Sequence, residues 1–162
     1  MTLKAPPPSS EAVHNVMVAN RSADTGPEKV VRRMLREAGY PGYRLQWRID
    51  EEDGHYICRP DIAYPGRKLV IFVHGCFWHR CPKCALGLPK SNTQYWSEKF
   101  ERNIERDLRK EMALTELGWE VHTIWECSIE EGVHSLLSQK FAPPHVLFID
   151  RDFEGGAWSS IH

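Results

Sequence analysis

The sequence predicts a single α/β domain with a mixed central β-sheet flanked by helices. Three observations carry this. Leu69-Val70-Ile71-Phe72-Val73 is a short β-branched run held between Pro65-Gly66 and Gly75, the pattern of a buried central strand. A strand at 68–74, a long helical pattern at 92–117 and a further strand at 119–125 require a right-handed crossover, hence a parallel pair. A hairpin pattern precedes them, so the sheet is mixed and helices cover its faces.

Residues 1–20 open with Pro6-Pro7-Pro8-Ser9-Ser10, lack sustained periodicity and read as a flexible arm. Asp24-Thr25, Pro27 and Glu28 spell a helix start: a capping side chain, an early proline and an acid near the positive end. Val30, Val31, Met34, Leu35 and Ala38 form its apolar stripe, and Gly39 stops it. Tyr43 to Ile49 and His55 to Tyr64 are expected as the two strands of a hairpin, with Asp50 to Gly54 as its turn. Asn92-Thr93 opens the long helix, whose inner side is expected at Trp96, Phe100, Ile104, Leu108 and Glu111/Met112, and Gly118 ends it. Trp119 to Trp125 is a strand, and a short helix follows from Ser128 to Ser138. The folded domain is bounded at 21–141, and 142–162 reads as an irregular tail.

The 162 residues suit one domain with its own core, and 41% apolar with 27% charged residues is a soluble globular composition. No stretch has the length of a membrane span and no apolar signal segment opens the chain, so no membrane partner is expected. A net charge of −1 and a pI near 6.7 give no support to polyanion binding by charge alone. Five cysteines without a secretion signal argue for reduced thiols and a cytoplasmic setting.

The chemistry concentrates after the central strand, where Phe72 to Cys84 crowd thiols, imidazoles and two large aromatics together. Cys76, Cys81 and Cys84, spaced C-x4-C-x2-C, with Cys127 as a fourth, offer soft ligands to a tetrahedral cation, usually Zn2+ in a reducing cell. A C-x2-C pair also reads as a redox dithiol, but that needs a helix starting at the pair, and Ala85-Leu86-Gly87-Leu88-Pro89 starts none. Cys58 is left over and is expected to pack.

Asp61, in Arg59-Pro60-Asp61, would alone read as a turn cap or ion-pair partner. His74 and His79 on the adjoining strand end and Asp107 on the long helix change its weight. One carboxylate, substrate phosphates and waters satisfy a Mg2+ ion, and an imidazole beside it can take the proton of an attacking water, which describes metal-assisted phosphodiester hydrolysis. Phe77 and Trp78 are adjacent, so in an extended loop at least one is expected to be exposed and fit to wedge between DNA bases. The remaining histidines, His14, His55, His122, His134, His145 and His162, are scattered and read as surface or packing residues.

These residues resemble the very-short-patch-repair (Vsr) DNA mismatch endonucleases over roughly Arg21 to Cys127, most specifically in Val70 to His79 with its Gly75-Cys76-Phe77-Trp78-His79 ending. Pro89-Lys90-Ser91-Asn92 leading to Trp96, Asn103 to Asp107, and Gly118-Trp119 to Trp125-Glu126 extend the likeness. The resemblance implies a diverged PD-(D/E)xK, restriction-endonuclease-like nuclease fold with a structural zinc site. It implies that Asp61 and the Val73 carbonyl bind a catalytic Mg2+, that His79 is the general base, that His74 and Glu28 assist at the scissile phosphate, and that Asp107 orients His79 or a bound water. Phe77, Trp78 and Trp96 would intercalate, and Cys76, Cys81, Cys84 and Cys127 would hold Zn2+. The zinc set is all cysteine where some relatives place a histidine, and the arm is poor in basic residues. The implied reaction is a nick 5′ to the thymine of a T:G mismatch left by deamination of 5-methylcytosine. The implied partner is double-stranded DNA carrying that mismatch, met by a monomer in the bacterial cytoplasm at the nucleoid, with mismatch-repair accessory proteins alongside. Two other readings compete: a restriction-type or defence nuclease on the same scaffold, and a non-catalytic zinc-stabilised DNA-binding module. A zinc hydrolase is disfavoured, because four cysteines close the coordination shell.

Overall fold

The computed structural model describes residues 23–141 together with Glu11. The expected arm over 1–20, apart from Glu11, and the tail over 142–162 lie outside the described residues. Within them the order is α1 (Gly26–Glu37), β1 (Arg44–Leu45), β2 (Ile49–Asp50), β3 (Tyr56–Cys58), β4 (Ile62–Tyr64), β5 (Leu69–His74), α2 (Thr93–Glu116), β6 (Glu120–Trp125) and α3 (Ile129–Lys140). The main sheet runs β1-β4-β5-β6: β4 is antiparallel to β1 and to β5, while β5 and β6 are parallel, so the mixed sheet and its crossover are as expected.

The alternation of β5 explains both layers. Leu69 and Ile71 point to one face, where Val31 and Leu35 of α1 and Val133 and Leu136 of α3 close a core around Ile62 and Ile124. Val70 points to the other, where Leu114 of α2 covers it with Ile49, Cys58 and Ala63. Full burial of each such Leu or Ile contributes roughly 1.5–3 kcal/mol. Cys58 is buried here as a packing residue, and burial raises its thiol to about 11.

The long hairpin is a correction. Gln46 takes a left-handed φ of 49°, which breaks Tyr43–Ile49 into β1 and β2, and Arg59-Pro60-Asp61 breaks His55–Tyr64 into β3 and β4. One pair, β1 with β4, therefore joins the main sheet, and the other, β2 with β3, stands as a separate two-stranded ribbon.

The inner side of α2 is the second correction. Trp96, Phe100 and Leu114 are buried, but Ile104, Leu108 and Met112 are 40%, 54% and 63% exposed. Steps of four residues advance 400°, so the expected stripe drifts 40° per step around the helix. The stripe that faces inward steps 4-3-4-3-4 through Trp96, Phe100, Asn103, Asp107, Lys110 and Leu114, and its middle is polar.

Candidate active site

The site lies where β5 ends. Leu45 pairs with Ile62 and Ile62 with Ile71, so the residue before β4, Asp61, falls beside the C-terminal half of β5. There its Oδ2 accepts from the Val73 N–H at 2.8 Å. Burial pushes the Asp61 carboxyl up to about 6, against the opposing pull of that hydrogen bond, and the nearby Glu28 carboxylate pushes the same way as burial. The charge of His79 favours the ionised form of Asp61, while the side chains that converge within 4.8 Å of one another are His74, His79 and Asp107.

Beyond Val73, the loop turns back on itself. The His79 N–H donates to the Gly75 carbonyl at 3.1 Å and the Cys81 N–H to that of Cys76 at 3.0 Å. That turn lays the His79 ring flat on His74, with centroids 3.9 Å apart and planes 9° from parallel. His79 Nδ1 meets Asp107 Oδ2 at 2.6 Å, which leaves Nε2 as the ring's other functional nitrogen. Burial alone would raise the Asp107 carboxyl, but the hydrogen bond and charge of His79 outweigh it and hold it below the usual range. His74 is held down to about 4, first by burial and then by repulsion from His79, so it is neutral at pH 7. Lys110 Nζ stands 3.8 Å from the second Asp107 oxygen. Phe72, His74, Asp107, Lys110, Glu111, Val121 and Thr123 line one shallow groove.

Glu28 has a structural role of its own. It completes a capping box with Thr25 at the start of α1, accepting from the Asp24 N–H at 2.9 Å and the Thr25 hydroxyl at 2.8 Å. It is the buried charged residue of the described core, near Asp61 but already engaged.

The aromatics form one cluster on the N-terminal end of α2. Phe77 meets Trp78, Trp96 and Phe100 edge-on at 5.1, 5.6 and 5.1 Å. Phe77 and Trp78 are each half-buried, while Trp96 is 7% exposed and packs beneath them. The expectation that at least one of the two rings is exposed is thus replaced by two half-buried rings sharing a partly covered surface, because the turn folds the pair onto α2. Residues with no role expected from the sequence hold this cluster. Asn103 Nδ2 donates to the Trp78 carbonyl at 3.0 Å, and the Lys99 ammonium sits 5.0 Å from the Trp78 ring centre. Glu126 Oε2 accepts from the Cys76 N–H at 3.2 Å. The signal that marks Asn103 and Lys110 is a polar residue on the inward stripe of a helix.

Cys76, Cys81, Cys84 and Cys127 converge with their sulfurs all within 4.8 Å of one another, and Cys81 and Cys127 at 3.7 Å. Metal–thiolate bonds of about 2.3 Å in a tetrahedron place sulfurs about 3.8 Å apart, so the four fit one metal ion. Hydrogen bonding to Cys127 and Cys76 pushes the Cys84 thiol up to about 12, a resistance to ionisation that a bound cation relieves. The segment after Cys84 is not helical, unlike a redox dithiol.

A carboxylate and an imidazole–carboxylate couple at one end of a mixed sheet are groups suited to general-base or metal-assisted hydrolysis. Comparison with known proteins shows which kind. Residues 9–85 match the family model described as DNA mismatch endonuclease Vsr. The chain is 44% identical over 124 residues to the type II nicking enzyme V.XorIIP of Xanthomonas oryzae pv. oryzae, covering 76% of this chain and 85% of that one. It is 39% identical over 117 residues to the type II nicking enzyme V.NmeAIP of Neisseria meningitidis, covering 71% and 77%. It is 37% identical over 113 residues to the DNA mismatch endonuclease Vsr of Escherichia coli, covering 70% and 68%. The chain belongs to the Vsr DNA mismatch endonuclease family and is a DNA endonuclease.

Proposed function

We propose that the protein nicks one strand of duplex DNA 5′ to the thymine of a T:G mismatch, the lesion left when 5-methylcytosine deaminates. The observation that carries this reading is the His79–Asp107 couple at 2.6 Å at the end of β5 to which the half-buried Asp61 is bonded, with the aromatic cluster on the same loop. The relatives named as type II nicking enzymes support a single-strand cut over a double-strand one.

Asp61 and the Val73 carbonyl are hard oxygen donors of the kind Mg2+ takes, and a carboxyl pushed up to about 6 is one whose charge a cation would stabilise. When bound, Mg2+ would polarise the scissile phosphate and neutralise the charge that develops on it. His79 Nε2 accepts the proton of the attacking water. Asp107 fixes the ring through Nδ1 and stabilises the imidazolium that results. Neutral His74, stacked beneath, keeps His79 in plane without adding a competing charge and offers a hydrogen bond to the phosphate. Glu28 acts through Asp61, holding negative potential beside the cation site.

Phe77 and Trp78 act as the wedge that unstacks the mismatched step, and Trp96 is their backing, entering the duplex only as the cluster opens. Zn2+ is the metal for the four thiolates, with a closed shell and a structural role. It ties the loop to the residue after Glu126 and so holds the wedge and His79 in one rigid lobe. The setting is the cytoplasm, where thiols stay reduced.

The test is a cleavage panel on end-labelled duplexes that carry each mismatch in several flanking sequences, with and without Mg2+. A nick confined to the thymine strand of T:G duplexes and dependent on Mg2+ is expected. Cutting of both strands of fully paired DNA at a fixed sequence would replace this reading with that of a restriction-type nuclease.

A further inference from the structure

The ribbon β2–β3 takes no part in the chemistry above, yet it grows out of the site. The β1–β4 register places Gln46 beside Asp61, near enough for its side chain to favour the Asp61 carboxylate's charge. One residue further along, Trp47 leaves the main sheet 42% exposed. On the returning strand Tyr56 is 55% exposed, and the Arg48 guanidinium lies over its ring at 5.3 Å while Arg48 Nε binds Asp50 at 2.8 Å. Arg59 is exposed two residues before Asp61.

Charge is segregated along this ribbon. Arg59 lies at its neck and Arg44 beside it in β1, neither with an acidic partner among the described residues, whereas Glu51, Glu52 and Asp53 lie at its tip; between them Asp50 pairs in register with Tyr56 and holds Arg48 through both carboxylate oxygens. An acidic tip cannot face phosphates, so only the neck is complementary to DNA. Exposed aromatic faces and planar guanidinium groups are the side chains that stack on bases and bind phosphate oxygens. The distance is short as well. Two extended residues span about 7 Å, so Arg59 reaches one or two nucleotides from the phosphate held at Asp61.

We propose that the neck of the β2–β3 ribbon, through Trp47, Tyr56 and Arg59, is a second DNA-contact surface that grips the duplex flanking the cut on the β1/β4 side of Asp61, with Arg48 held by Asp50 against the Tyr56 ring. The inference rests on the DNA-nicking reading and adds the place where flanking duplex is held. The ribbon therefore sets the length of duplex needed on that flank, and its acidic tip points away into solvent.

The experiment uses the full chain with its zinc and measures binding by fluorescence anisotropy, in Ca2+ without Mg2+, on T:G duplexes shortened stepwise from either end. Nicking is measured in parallel with Mg2+. Trp47→Ala and Arg59→Gln are each expected to weaken binding about 5- to 30-fold on the full-length duplex, with kcat within twofold. Both are expected to match the parent once the contacted flank is removed. Arg59→Gln should also lower the slope of log K against log salt by about 0.9, the share of one phosphate, and Arg59→Lys should restore most of that slope. Glu52→Gln at the tip should stay within twofold of the parent. Neck variants that bind like the parent at every flank length, or losses that persist on the truncated duplex, would overturn the proposal. A parent that binds but nicks no duplex would overturn the catalytic reading, while the neck variants would still decide this one by their binding. A parent that binds no DNA would overturn both.

Discussion

Replacing Asp61 with Asn should abolish cleavage and yet stabilise the protein, by an amount that depends on pH. The folded carboxyl titrates at about 6 against an ordinary 3.8, mainly because it is buried. Between these values the unfolded chain has already released the proton that the folded chain still holds, so stability falls as pH rises from about 4 to about 6. A shift of roughly two units corresponds to about 3 kcal/mol by pH 7. Asn is of similar size, keeps an oxygen to accept from the Val73 N–H, and does not titrate. The gain of Asp61→Asn over the parent should therefore be near zero at pH 4 and grow to as much as about 3 kcal/mol at pH 7, roughly 10 °C in Tm for a domain of this size. His74 pulls the other way: its lowered pKa costs stability as pH falls below its ordinary value of 6.5. It is present in both proteins and cancels in the difference. The assay is a pair of thermal melts at each pH from 4 to 7.5, with zinc retained and magnesium omitted, beside a nicking assay with Mg2+ at pH 7.5. Added Mg2+ should raise the Tm of the parent and not that of the variant. A variant less stable than the parent at pH 7, or a difference that does not change with pH, would refute the strained carboxylate and with it the argument that a cation relieves it.

Other perturbations test the remaining parts. His79→Ala should lower kcat for nicking by about 10²- to 10⁴-fold with little change in DNA affinity, and single-turnover kinetics with a binding titration would read both. Asp107→Asn should lower kcat by at least about tenfold in the same single-turnover assay, since it removes the carboxylate that Nδ1 of His79 faces. Cys127→Ser should remove the tightly bound zinc, measured by elemental analysis, and lower the melting temperature; full metal content at unchanged stability would exclude it as the fourth ligand. Trp78→Ala should raise the Kd for a T:G duplex while leaving turnover of the bound complex within a few fold, and an effect confined to turnover would contradict the wedge. Asn103→Leu should cost about 1 kcal/mol through the lost hydrogen bond to the Trp78 carbonyl and weaken mismatch binding in the same direction as Trp78→Ala.

Much of the layout was legible because it rests on local signals. The capped start of α1 at Thr25 and Glu28, the β-branched run of β5 and the glycine that ends α2 at φ 75° each announce themselves within a few residues. The split of the long hairpin was not legible, because it depends on which partner each half finds. Arg44–Leu45 pairs with Ile62–Ala63 in the main sheet, and Ile49–Asp50 pairs with Tyr56–Cys58 outside it. Alternation along Tyr43–Ile49 reads the same whether those seven residues serve one neighbour or two, and only the left-handed turn at Gln46 separates them.

The misread helix shows why an active site resists apolar pattern reading. Trp96, Ile104, Leu108 and Met112 look like one stripe to any argument that assigns apolar residues inward, yet α2 turns its polar positions toward the sheet. Asn103, Asp107 and Lys110 occupy places where a purely structural helix would carry Leu, and each meets a partner: the Trp78 carbonyl, His79, and Asp107 itself. Burying such groups costs stability unless their hydrogen bonds are made. Asp61 carries the same kind of cost just before β4, with its carboxyl pushed up to about 6. The apolar residues displaced from the inward stripe remain exposed on the outer side of α2, so the helix yields core contacts in order to aim one imidazole. A polar interruption at heptad spacing, flanked by Trp96, Phe100 and Leu114 where the stripe is buried, is therefore the feature by which such a site can be found in a sequence.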